Sequence, residues 1–530
     1  MSRYLFIALL LCTTYPQPSS AQNESDDSAP VKTMIATSIH GVAGVISLTE
    51  VPLIAPDVSS DSSELERELR PEIHRQLQYL VGNLHGIEGG LELHDAHIFD
   101  VEKLEKLEED LARYQYSAEI NGVIVKSSAP APGERADIRV FLPERTDDAS
   151  IQSLFDDYSA DCVPNSLRTY KSETYWYDFR PNAFYCPLSD WDVEVHPEHL
   201  IKMMMTFEAA PLTTVETYPE YDAVWSDGKL VVTGVYALVG GLLAEQGQES
   251  YQIVFEEMVR TYGAPISIND PTLLDLNHIG TDTPVIDATF ETPRGPLEVH
   301  LFLINSLDTP SHKEGDALKS FVKDYNELSK TSDLIIYNGH AHHGADNARL
   351  DAIGVFAPER YQVFFVNTCA SYTYGLPRVR QRILDLNQDM PDPEAFLDMI
   401  VNGMPAMGHE IAYMNQRYIK ALVDAKDSYQ TILSDMYAQQ QMLVLYDQDN
   451  WWTPGLTKGD LGQRWGASSE GYGDELLPVP ESTPAQGGCG VISVSSALRG
   501  SPHRSVWPWL MAVLLGVTRR LRSRAAHDAL

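Results

Sequence analysis

Two short segments of the chain carry the side chains best suited to covalent chemistry. The first runs Leu334-Ile335-Ile336-Tyr337-Asn338-Gly339-His340-Ala341-His342-His343-Gly344, and the second Tyr361-Gln362-Val363-Phe364-Phe365-Val366-Asn367-Thr368-Cys369-Ala370-Ser371. Each is an apolar stretch of strand length that runs out into small residues around an imidazole or a thiol. A cysteine attacks a carbonyl as its thiolate, and an imidazole within hydrogen-bond reach supplies the base or cation that makes a thiolate at neutral pH. Glycine and alanine beside such residues let backbone N–H groups approach a developing oxyanion. Two imidazoles compete for the role. His340 follows the apolar run most closely, and His343 is the alternative base.

The cysteine count singles out Cys369. Of five cysteines, Cys12 falls in an N-terminal leader and Cys489 in a C-terminal tail. Cys162 and Cys186, in an aromatic and loop-rich region, are the natural pair in an oxidising compartment. Such a bridge is worth about 3–4 kcal/mol through the unfolded chain. Cys369 is left over, and a leftover cysteine is either a buried inert thiol or a reactive one. The competing chemistry is metal-dependent hydrolysis, in which His340, His342, His343, Asp346 and His409 gather a zinc ion. The pairs His94/His97 and His196/His199 have no further ligands at a diagnostic spacing and read as surface or structural histidines.

These two segments need a sheet to hold them. From Pro296 the chain alternates strands and helices: Leu297–Asn305, Asp333–Asn338 and Tyr361–Asn367 are apolar strands, and Gly315–Lys330 is an amphipathic helix. Helices are also expected at Leu242–Tyr262, Pro393–Asn402 and through most of Ile411–Val444, with a short strand at Met404–Met407. Strands without polar alternation, separated by helices, indicate a parallel sheet covered on both faces. In such a sheet the working residues collect at the carboxyl ends of the strands. The fold class is therefore α/β, a mostly parallel sheet with helices on both faces, preceded by a mixed α+β region. In that region Ser63–Val81 and Val101–Tyr114 read as helices and Ile120–Val125 and Ile138–Leu142 as strands, and Asp227-Gly228 reads as a hairpin turn. The organisation is leader 1–21, polar lead-in 22–32, N-terminal region 33–220 (a propeptide or an accessory domain), α/β domain 221–450, linker 451–488 and tail 489–530.

Charge and termini set the compartment and exclude some partners. The formal charge of −36 repels phosphate backbones and anionic headgroups, which rules out nucleic-acid binding as a main function. It would draw basic substrates, and it leaves calcium binding open without requiring it. Arg3, an apolar stretch from Tyr4 to Cys12 and Ser19-Ser20-Ala21 form a secretory signal peptide cut before Gln22. At the other end, Gly487-Gly488-Cys489-Gly490 is followed by the apolar run Val506–Val517 and an arginine cluster from Arg519 to Arg524. That order resembles the MYXO-CTERM sorting tail of myxobacterial surface proteins. The resemblance implies that the tail is removed and that Cys489 becomes the surface anchor, so any membrane attachment runs through it.

The two chemical segments together resemble the caspase-like cysteine peptidases of clan CD, the group of caspases, metacaspases, legumains and gingipains. An apolar strand ending in Gly-His precedes one ending in a cysteine flanked by small residues, over roughly Leu297–Tyr437. The resemblance implies a cysteine endopeptidase acting on a protein or peptide substrate through a thioester, without a cofactor. Cys369 would be the nucleophile and His340 would protonate the leaving amine. The Cys369 N–H, with Gly339 or Ala341, would bind the oxyanion. His343-Gly344 matches the family's usual glycine after histidine, where Ala341 does not. Asn367 stands at the place of an acidic pocket residue in metacaspase-like enzymes, and His409 and Glu410 would line the substrate pocket. A catalytically silent surface binding protein on the same scaffold is the alternative.

Overall fold

The computed structural model describes residues 33–34, 40–58, 62–93, 96–107, 110–131, 133–164, 172–193, 195, 200–210, 217–238, 244–275, 278–280, 283–305, 315–341, 344–434, 436, 440–445 and 451–452. The expected leader, lead-in and tail, and nearly all of the linker, lie outside these residues.

The first part comprises strands β1 (Thr33–Met34) and β2 (Gly41–Pro56), helices α1 (Ser62–Leu77) and α2 (Tyr79–His85), and strands β3 (Gly89–Leu91), β4 (His97–Lys106), β5 (Leu111–Val125) and β6 (Arg135–Pro143). Helices α3 (Asp148–Cys162) and α4 (Tyr175–Asp178) and strand β7 (Leu200–Ala209) complete it. The sheet is antiparallel, in the order β3-β5-β2-β7-β6, with β4 also paired to β5. Leu65, Leu69, Ile73 and Leu77 recur every fourth residue along α1 and are buried against Leu53, Tyr114 and Tyr116 of the sheet. Cys162, the last residue of α3, forms the expected disulfide with Cys186. Val101–Tyr114 is not a helix as the sequence suggested. Its residues belong to the end of β4, which runs to Lys106, and the start of β5 at Leu111, with Asp110 between them at φ +62°. The Glu, Lys and Leu residues there favour a helix by propensity, and pairing of β4 with β5 overrides it.

The second part opens with α5 (Tyr221–Val224), β8 (Leu230–Leu238), α6 (Ala244–Tyr262), β9 (Ser267–Ile268), β10 (Val285–Thr292) and β11 (Gly295–Asn305). It continues through α7 (Gly315–Leu328), β12 (Leu334–Asn338), α8 (Ala345–Ala352), β13 (Gln362–Asn367), α9 (Ser371–Tyr374), α10 (Pro377–Leu386) and β14 (Leu397–Asn402). It ends with α11 (Ile411–Asp424), α12 (Tyr429–Ser434), β15 (Met442–Leu445) and β16 (Trp451–Trp452), the last pairing with β1. The sheet order is β15-β14-β13-β12-β8-β11-β10-β9. Parallel pairing is confined to β14, β13, β12, β8 and β11, and antiparallel β15, β10 and β9 close the edges. The described residues are thus α/β, with an antiparallel sheet, a mixed sheet and the two-stranded β1–β16 pair, less parallel than the sequence suggested.

Every residue of β12, β13 and β14 is buried. Alternate side chains enter two cores. Ile336, Val363 and Phe365 pack with α6, α11 and α12, while Ile335, Phe364 and Val366 pack with α7, α8 and α10. Four sequence expectations fail in this part. Asp227-Gly228 turns from helix α5 into β8 and makes no hairpin. Pro393 starts only a 3-10 turn to Phe396, and the apolar run that follows is strand β14. Met404–Met407 is loop, and the end of the expected helix Ile411–Val444 is strand β15, because Ala425 at φ +49° stops α11.

A buried carboxyl makes the stability depend on pH. Neither oxygen of Asp178 has a hydrogen-bond partner among the described residues, and burial pushes its carboxyl up to about 7 against a partial pull downward from Arg180. A carboxyl raised in the folded state favours folding most below its unfolded value near 4. That contribution is lost as pH rises through about 7. Asp178→Asn should therefore stabilise the chain at pH 8 by roughly 1–3 kcal/mol and leave it unchanged near pH 4. Thermal melts of both proteins at the two pH values check this.

Candidate functional site

The site begins with the register of two parallel neighbours. β12 pairs with β13 from Leu334↔Val363 to Asn338↔Asn367, so the two strands end level. His340 and Cys369 each stand two residues past that last pair, on strands that lie about 4.8 Å apart in such a sheet. The loops then part. β13 sends its connection to α10, which packs on one face of the sheet, and β14 sends its own to α11, which packs on the other. In open α/β sheets a parting of this kind is where a crevice forms at the carboxyl ends of the strands, and Cys369 stands beside it.

Local chemistry fixes the two turns. Ala370 adopts the left-handed conformation, φ +48° and ψ 37°, which breaks the strand at once and starts α9. Its N–H donates to Met404 O at 3.0 Å. At Gly339 a Cβ would stand 2.7 Å from Ala237 Cβ of β8, so only glycine lets the His340 turn pass β8 this closely. Gly344, at φ +98°, lies against the Tyr374 ring at the start of α8.

Beneath the turns lies an amide ladder that the sequence reading missed. β12, β13 and β14 all end in asparagine. Asn367 Nδ2 donates to Asn338 Oδ1 at 3.2 Å, Asn402 Nδ2 to Asn367 Oδ1 at 2.8 Å, and Gln440 Nε2 to Asn402 Oδ1 at 3.1 Å. Each strand-terminal asparagine is at most 2 % exposed. Asn367, expected in a pocket, is 0 % exposed and bonded through both ends of its amide in this ladder. The signal was present in the sequence as Tyr337-Asn338-Gly339, Val366-Asn367-Thr368 and Val401-Asn402-Gly403, three apolar runs ending alike.

The crevice is covered. Cys369 is 0 % exposed, His340 5 % and Ala341 1 %. Cys369, Ala341, Ala370 and Ala406 belong to the same apolar core as Leu91 of β3 and Trp176 of α4. The covering contact is backbone against backbone: a Cβ on Gly90 would stand 2.5 Å from Gly403 O. Val123 of β5 reaches the same loop, and the Trp176 and Tyr374 rings meet edge to face at 6.4 Å. In the folded chain the N-terminal sheet therefore closes the rim that carries the thiol.

The remaining expected residues are less informative. His342 and His343 lie outside the described residues, so the choice between His340 and His343 rests on strand register, which favours His340. His409 and Glu410 stand in the 3-10 turn Gly408–Glu410 past β14, and the His409 side chain lies outside the described residues. Asp346 is fully buried at the start of α8. Among the described residues no three His, Cys, Asp or Glu side chains group as metal ligands. Of the two histidine pairs, His97 stacks on Phe99 along exposed β4, and His94, His196 and His199 lie outside the described residues. No described helix is long and apolar enough to cross a membrane.

The cover makes a prediction about access. Iodoacetamide should modify Cys369 of the native chain at least tenfold more slowly than after Gly90→Leu, which drives a side chain into Gly403. Peptide mapping by mass spectrometry over a time course measures both rates, and equal rates would show that β3 does not govern access. No protein-family model matches this chain, and none of the curated proteins is similar to it.

Proposed function

We propose that the protein is an exported cysteine hydrolase of the caspase-like type, anchored at the cell surface through Cys489 and kept latent by its own N-terminal sheet. The observation that carries this reading is the level ending of β12 and β13, which sets the imidazole and the unpaired-by-disulfide thiol two residues past one ladder rung. The parallel strand order β14-β13-β12-β8-β11, with helices on both faces, is compatible with a caspase-like domain at 221–450. On this reading 33–220 is the covering region and 451–488 the linker to the tail.

The chemistry is peptide-bond hydrolysis in two steps. The Cys369 sulfur, as thiolate, bonds to the carbonyl carbon and the carbonyl electron pair moves to oxygen. The oxyanion collapses, the C–N bond breaks, and the His340 imidazolium gives its proton to the departing amine. Water then adds to the thioester with His340 taking its proton, and the acid leaves as the thiolate reforms. Hydrogen bonds from the Cys369 N–H and from the backbone at Gly339 or Ala341 would hold the oxyanion in both steps. The acidic surface favours basic peptides, and the Asn367 ladder argues against a carboxylate-lined pocket for them.

A second reading is favoured by the complete burial of Cys369: a silent binding protein on this scaffold, whose thiol is an inert core residue. Labelling with a thiol-reactive peptidyl chloromethyl ketone separates the two. The hydrolase reading predicts labelling at Cys369 that Cys369→Ala abolishes and that His340→Ala slows at least 100-fold, while His343→Ala slows it little. Labelling of wild type and Cys369→Ala alike, or none after Gly90→Leu has opened the rim to iodoacetamide, would favour the silent protein.

A further inference from the structure

We infer that Asn402 is a positioning residue that aims the Cys369 backbone N–H toward β12, on the side where His340 emerges. The inference rests on the cysteine-hydrolase reading and adds to it a residue that never touches the substrate.

Hydrogen-bonding logic fixes which way the Asn402 amide faces. The Met407 N–H can only donate, and it donates to Gln440 Oε1 at 2.6 Å. Gln440 must therefore turn its Nε2 inward, where it meets Asn402 Oδ1 at 3.1 Å and Asn367 Oδ1 at 3.3 Å. Asn402 is left presenting Nδ2 to Thr368 O at 3.2 Å, an oxygen that can only accept. The backbone adds a brace: the Asn402 N–H donates to Ser371 Oγ at 2.7 Å, and that hydroxyl donates to Val366 O at 2.7 Å. Asn402 and Gln440 are both 0 % exposed, so water does not compete for these bonds.

The consequence follows from peptide geometry. No peptide bond here is cis, and in a trans peptide the carbonyl and the next N–H point in opposite directions. Asn402 draws the Thr368 carbonyl toward β14, which turns the Cys369 N–H toward the other neighbour, β12, where Gly339 and His340 emerge. The next peptide is turned the other way, its Ala370 N–H held by Met404 O on the β14 side, so the Cys369 carbonyl and the Cys369 N–H face the same side. One amide thus sets the direction of the donor expected to hold the oxyanion. Asn402 also satisfies a buried carbonyl, and a purely structural role would end there.

Two reagents distinguish those roles in the full-length chain. Iodoacetamide reads only access to Cys369 and its reactivity. An acetyl-tripeptide aldehyde from a mixed pool also reads the donor: sulfur bonds to the aldehyde carbon, and the oxygen of the resulting thiohemiacetal takes up the proton and sits where the oxyanion would. Measured at equilibrium, the cost of lifting the cover is common to both proteins and cancels in their ratio. Asn402→Leu should weaken aldehyde binding about 100-fold, in line with the loss of one oxyanion donor, and change the iodoacetamide rate less than threefold. If that variant fails to fold, Asn402→Ala, a smaller side chain that likewise cannot donate to Thr368 O, is expected to show the same split. Equal losses with both reagents, or no loss with either, overturn the positioning role. An aldehyde that never bonds to Cys369 of the unsubstituted chain, while iodoacetamide does, overturns the hydrolase reading and the positioning role with it.

Discussion

The pairing of β12 with β13 is the constraint on which everything at the rim depends. Parallel strands have no freedom to slip here, because each buries both faces and a one-residue shift would send every side chain into the wrong core. Ile336 and Phe365 would leave the core under α11, and Ile335 and Phe364 the core under α7 and α8. The apolar packing of the sheet thereby fixes, two residues further on, the relative position of an imidazole and a thiol. The amide ladder extends that order past the last apolar residue, where hydrophobic contact no longer controls register. Amides suit this place because each offers both a donor and an acceptor, so the ladder runs from Asn338 to Gln440 without placing a charge in the interior.

The same packing explains why the site is closed. Carboxyl-end loops built from Ala341, Ala370 and Ala406 present small apolar surfaces, and the N-terminal sheet supplies matching ones in Leu91 and Val123. Gly90 then approaches Gly403 backbone to backbone, which a side chain at Gly90 would prevent. A buried thiol under such a cover is protected while the cover holds. The cover's stability relative to the rest of the fold, and not the chemistry of the thiol alone, decides whether the site is ever used.

Much of the site was legible in the sequence, and the failures have physical causes. The apolar runs before Gly339 and Thr368 predicted two buried strands, and their ends fell where expected because a strand buried on both faces needs an unbroken apolar run. β14 was misread as a helix since Pro393 and a short apolar run suit either element, and only pairing with β13 decides between them. Val101–Tyr114 was misread for a related reason: its charged residues lie on an edge ribbon that needs no apolar face. The disulfide between Cys162 and Cys186 followed from counting alone. The resemblance points Asn367 to a pocket, while its surroundings depend on Asn402, whose apolar run ends like its own, and on Gln440, which carries no such signature. The cover was invisible for the same reason, since nothing in Gly89-Gly90-Leu91 points to a loop more than 300 residues away.

The central claim is that one sheet delivers residues 340 and 369 to adjacent positions on the same rim. A cysteine introduced by His340→Cys tests this without reference to activity, because two cysteines bridge only when their Cα atoms lie within about 4.4–6.8 Å. The account predicts that the oxidised variant yields a disulfide-linked peptide pair joining residues 340 and 369, beside the native Cys162–Cys186 pair. Recovery of both 340 and 369 as free thiols after oxidation and unfolding, with the native disulfide intact, would contradict it.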